Sequence, residues 1–170
     1  MNTNSTTLYS LGFADVKAYL YAALFIAGNV VFPQLCHLYP QGGLIMLPIY
    51  FFTLIAAYKY GLKVGLLTAI LSPVVNHIFF DMPAAAVMPV LLIKSSLLAV
   101  AASYIAHRIG RVTLLGVTLA VVAYQFLGGL VEWAMTGSVS AALQDIWLGY
   151  PGIVLQILGG YAVLKYLLKK

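Results

Sequence analysis

Residues 112–135 read VTLLGVTLAVVAYQFLGGLVEWAM, an apolar run broken by a single charge, Glu132. As a helix this run would extend about 36 Å at ~1.5 Å per residue, enough to cross the roughly 30 Å hydrocarbon core of a bilayer. A helix on the surface of a soluble protein keeps a polar face opposite its apolar stripe, and this run has none. Gly110 and Arg111 bound it on one side and Gly137 on the other. Cutting the rest of the chain at its charges and turn residues gives five more runs of the same kind, at 18–35, 42–58, 64–80, 82–106 and 146–164. The expected fold is therefore an all-α integral membrane protein, with six transmembrane helices in a single domain over 1–170 and no soluble domain. Gly61, Gly110 and the pair Gly42 and Gly43 punctuate the gaps as helix breakers. The second run is short and the fourth long, which predicts unequal tilts or an irregular second segment. No connection exceeds about ten residues, so no catalytic module fits between spans.

Composition agrees. Of 170 residues 63% are hydrophobic and 8% charged, with a mean hydropathy of +1.00, whereas soluble domains carry about 25% charge. The net charge of +5 comes from nine Lys and Arg scattered between apolar runs. They form no basic face, which argues against nucleic acid as a partner. Instead they mark topology: Lys17, Lys59, Lys63, Arg108, Arg111, Lys165, Lys169 and Lys170 fall at one end of the six spans. The loops at the other end, around Tyr39, Asp81 and Gly137, contain no Lys or Arg. Because Lys and Arg are retained on the cytoplasmic side, both termini are expected there, in a multi-pass protein of the cytoplasmic membrane. Only Lys17 precedes the first run and no A-x-A-like site follows, so no cleaved signal peptide is expected. The single cysteine, Cys36, permits no internal disulfide.

The remaining cation, Lys94, lies at the midpoint of the fourth span. With Glu132 it is one of two ionisable groups, histidine aside, well inside a span, where a charge costs roughly 2.5–3.5 kcal/mol on insertion scales. Opposite signs make pairing the obvious relief. Their depths differ, however, with Lys94 central and Glu132 about one turn from a helix end, which predicts room between them for a ligand. All seven prolines lie at or beyond the midplane on the side away from the other cations. Proline inside a helix frees a carbonyl that must meet protein or a water-filled cavity, so the outer half is where a pocket is expected. Asn76 with His77, Gln156, and Trp133 at the outer boundary join Lys94 and Glu132 as expected ligand contacts. Amides and small residues also simply join membrane helices, and boundary aromatics also form membrane belts.

Enzyme chemistry finds no purchase. There is no G-x-S-x-G nucleophile setting, no H-E-x-x-H pair, no glycine-rich phosphate loop and no carboxylate cluster in the sequence. Cys36 and His37 are adjacent, too little to specify a metal, and no metal or cofactor is expected.

Several segments together resemble the substrate-binding S components of energy-coupling factor (ECF) transporters, small six-helix membrane proteins with both termini inside. The first span carries Ala18-x-x-x-Ala22 and Ala23-x-x-x-Ala27, similar to that family's alanine motif for the shared coupling subunit. Leu47-Pro48-Ile49-Tyr50 through Tyr58-Lys59-Tyr60-Gly61-Leu62-Lys63-Val64-Gly65 resembles its second-to-third helix junction. Ser72-Pro73, Asp81-Met82-Pro83 and Met88-Pro89 resemble its third loop and fourth helix, and Gly149-Tyr150-Pro151-Gly152-Ile153-Val154-Leu155-Gln156 the entry to its sixth. The resemblance implies high-affinity capture of a small vitamin or micronutrient from outside, followed by association with a transmembrane coupling subunit and two ATPase subunits. It carries over no ligand-contact residues. Two other classes share the size and hydrophobicity: a scaffold resembling rod-shape morphogenesis membrane proteins, and a redox subunit using His37, His77 and His107. A scaffold has no reason to collect polar groups behind outer-half prolines, and the three histidines do not pair across the bilayer.

Overall fold

The helix at the centre of the bundle is the one buried along almost its whole length. In a computed structural model that describes residues 8–167, α3 (Pro48–Tyr60) buries every residue except the partly buried Phe52. It is ringed by α1 (Val16–Cys36), α4 (Leu62–Phe80), α5 (Met88–Ile109) and the terminal helical stretch. The helix α6 (Leu114–Thr136) packs on the far side of α5. Two short helices, α7 (Val139–Ala142) and α8 (Gln144–Trp147), lead into the terminal stretch. Among the described residues, five helical segments are long and apolar enough to cross a membrane: α1, Gly42–Tyr60, α4, α5 and α6.

The second segment is irregular, as its shortness predicts. It divides into α2 (Gly42–Met46) and α3 around Leu47, whose φ of 46° is left-handed, with Pro48 opening the next helix. The fourth begins at Met88 instead of 82, because residues 82–87 form a loop. Pro89 thus sits in the first turn of α5, where its missing N–H has no helical acceptor to fail. The last begins at Tyr150 instead of 146. It runs as α9 (Tyr150–Val154), a π segment Leu155–Gly159, α10 (Gly160–Ala162) and a second π segment Val163–Leu167. Gly152 lets α9 cross α2 closely, since a side chain there would collide with the Met46 carbonyl.

Alternation of the helices brings Lys17, Lys59, Lys63, Arg108, Arg111 and Lys165 to one end of the bundle; Lys169 and Lys170 lie outside the described residues. At that end Tyr9 N–H donates to Lys59 O at 2.7 Å and Leu11 N–H to Tyr60 O at 3.2 Å, satisfying terminal carbonyls of α3.

The two alanine pairs of α1 do not share a surface. Ala18 and Ala22 are buried in the chain's own core, whereas Ala23 and Ala27 are exposed. One residue turns a helix by about 100°, so the pair 18/22 faces α3 and α4 while 23/27 faces away from the bundle.

Candidate functional site

At the end of the bundle opposite those cations lies a cavity of about 600 Å³, within the roughly 300–1,000 Å³ typical of small-molecule sites. Its walls come from the last turns of α1, α4 and α6, the first turns of α3 and α5, helix α2, and the loops at 81–87 and 141–145. Most of the wall is apolar, with Leu44, Leu47, Val87, Val90 and Leu91 among its residues.

Lys94 is 2% exposed and reaches this cavity along a path that Gly128 opens. A β-carbon at 128 would lie 2.8 Å from Lys94 Cγ, so the aliphatic stem of the lysine lies directly on α6. Its ammonium then meets Glu132, one turn further along, donating to Oε2 at 2.7 Å, and Asp145, donating to Oδ2 at 2.5 Å. The gap expected between Lys94 and Glu132 is therefore absent, because the length of the lysine side chain spans the difference in depth. The Glu132 and Asp145 side chains keep 17% and 15% of their surface exposed. Neither second carboxylate oxygen receives a hydrogen bond from the described residues.

The other expected contacts separate into wall and core. Asn76 lines the cavity, but both its amide protons are engaged, on Asn29 O at 2.8 Å and Ser72 O at 2.9 Å. The side chain of Asn29, at the same crossing, donates to Thr53 and Ser72, tying α1, α3 and α4 together. His77 is not on the cavity wall; its Nδ1–H donates to Pro83 O at 2.9 Å, since a carbonyl can only accept, and so pins the 81–87 rim. Trp133 is 51% exposed on the outer surface of the bundle, away from the wall. Gln156 is fully buried beneath the site, accepting from Tyr124 OH at 2.8 Å, while Gln125 donates to the same hydroxyl at 2.9 Å. The Tyr124 ring packs at a tilt against that of Tyr50, centroids 5.2 Å apart, and it is Tyr50 that reaches the cavity.

Sequence reasoning about ligand contacts passed over Asp145, Gln34, His37, Gln144 and Tyr50, all of which line the cavity. Asp145 had a signal: it is one of only four carboxylates in the chain. Among the described residues no group of three or more His, Cys, Asp or Glu is placed to hold a metal ion. No family model, curated protein or solved structure matches the chain.

Proposed function

We propose that this protein is the solute-capturing subunit of a membrane uptake system, similar to the S components of ECF transporters. The observation that carries the reading is the cavity of about 600 Å³ beside a buried ion cluster, at the end of the bundle away from the cations. A charge cluster within a membrane helix bundle is costly, and such groups mark ligand or ion sites by default. In this reading all six helical stretches cross the cytoplasmic membrane, both termini are cytoplasmic, and the cavity opens outward to take a small vitamin-like molecule. A coupling subunit and two ATPases supply the energy, and the exposed Ala23 and Ala27 face of α1 is where a neighbouring helix can approach closely. No catalytic role is assigned.

Mass spectrometry of small molecules released from the purified protein tests this directly. A reproducible, stoichiometric ligand is the expected result. A protein that carries none, and whose melting temperature no candidate solute raises, would instead fit a scaffold.

A further inference from the structure

From the charge inventory of the cavity we infer that its ligand is an organic cation, bearing an ammonium, amidinium or alkylated ring nitrogen. The inference rests on the solute-binding reading and specifies the class of solute.

The chain has four carboxylates and nine Lys and Arg. Three of the four carboxylates, Asp81, Glu132 and Asp145, line the cavity, against one of the nine cations, Lys94. The formal balance on the wall is minus two, in a chain whose overall balance is plus five. That reversal of sign is local to the cavity. A Coulomb interaction that is weak in water grows several-fold in a less polar setting, so this imbalance selects among solutes by charge.

The geometry within the cluster sharpens the selection. Lys94 is 3% exposed at its side chain and is held between two carboxylates, so an incoming anion would meet Glu132 and Asp145 before the ammonium. Each carboxylate gives one oxygen to Lys94 and keeps the other without a protein donor among the described residues. Two acceptors on adjacent carboxylates suit the N–H groups of an ammonium or amidinium, or the face of a ring cation. Lys94 thereby orients the pair and lowers their mutual repulsion while cancelling only one of the two charges. A bare metal ion fits poorly, because the space is about 600 Å³, its wall mostly apolar, and no metal-holding cluster is found among the described residues.

The test uses the purified full chain in detergent with three probes sharing one ring: benzamidinium, benzamide and benzoate. Binding is read by calorimetry and by melting temperature. Benzamidinium is expected to bind, and Glu132→Gln to weaken it tenfold or more. That variant should stay folded, since Lys94 keeps Asp145 as a partner. Equal or tighter binding of benzamide or benzoate, or unchanged benzamidinium affinity in Glu132→Gln, overturns the cation assignment and leaves solute binding standing. If none of the three binds, the charge of the co-purified small molecule decides: a cation upholds the assignment, and a neutral or anionic molecule overturns it. No probe binding and no co-purified molecule overturn both readings.

Discussion

Asn76 Nδ2 lies 2.8 Å from the carbonyl oxygen of Asn29, the carbonyl that Pro33, four residues further along α1, cannot serve because it has no N–H. The proline opens a backbone acceptor inside the bundle, and a side chain from α4 closes it. Proline at this depth needs protein or water beside it, and here it is protein. The pair also fixes the crossing of α1 and α4 on one wall of the cavity, which makes Asn76 a positioning residue.

Replacing Asn76 by Ala should therefore destabilise the fold by about 1–3 kcal/mol, the cost of an unmet buried acceptor. In a Pro33→Ala background the new N–H can serve Asn29 O, and the same replacement should cost less. Denaturant unfolding in detergent of the four-member cycle should show coupling of roughly 0.5–3 kcal/mol. Strict additivity would mean that Pro33 and Asn76 act independently.

Lys94 has two partners, and either alone can neutralise it. Glu132→Gln and Asp145→Asn should each leave the melting temperature nearly unchanged. The double variant strands a buried ammonium and should lose about 3–5 kcal/mol, as should Lys94→Met, which strands two carboxylates. Combining all three substitutions should recover most of that loss, by the same unfolding assay. A double variant as stable as either single would show that the cluster does not hold the fold.

Five of the six apolar runs were legible as helices long enough to cross a membrane because runs cut by charges leave little choice, and the shortness of the second pointed to the irregularity found at Leu47. The site was harder for reasons of phase and reach. The two alanine pairs of α1 are five residues out of step in a mostly apolar helix, and the one mark of the inward face, Asn29 in phase with Ala18 and Ala22, is a single polar residue. Lys94 looked too deep for Glu132 because depth along the helix ignores a side chain that runs over Gly128. Asp145 lies in a connection, where an acid is ordinarily solvated; only the packing of α7 and α8 turns it toward α5. Gln156 shares a helix with glycines but points into the core, onto Tyr124.

Two glycines should respond oppositely to Ala. At Gly152 the added carbon would collide with the Met46 carbonyl, which is backbone and cannot swing aside, so about 1–3 kcal/mol should be lost. At Gly129 the nearest atom would be 3.4 Å away, and the gain in helix propensity, up to about 1 kcal/mol, should prevail. Thermal melts of the two variants check the contrast; no loss at Gly152 would show that α9 does not pack closely on α2.

Bulky substitutions on α1 should separate fold from partnership. Ala22 is 3% exposed, so Ala22→Trp overfills the core and should give little folded protein. Ala23 is exposed, and Ala23→Trp should melt like the parent. If the coupling subunit packs on this face, Ala23→Trp should lose co-purification and uptake while keeping solute binding. Full uptake by that variant would place the partner surface elsewhere.

The outward direction of the cavity rests on the asymmetry of charge, and one labelling experiment decides it. Ser140 is exposed beside the loop at Gly137, on the cavity end, whereas His107 is exposed near Arg108 at the opposite end. Gly137 itself is a poor site for a probe, because its φ of 66° would strain a side chain. Single cysteines at 140 and at 107, in a Cys36→Ala background, can be challenged in intact cells with a membrane-impermeant thiol reagent. Retention of Lys and Arg on the cytoplasmic side requires that Ser140→Cys be labelled at once and His107→Cys only after permeabilisation. The reverse pattern would turn the cavity to the cytoplasm and convert the proposed capture of an external solute into binding of an internal one. Immediate labelling of both would place the two ends on one side, which an odd number of crossings between residues 107 and 140 forbids. Since α6 is the only helix between them long enough to cross, that outcome would remove α6 as a span and with it the bundle that encloses the site.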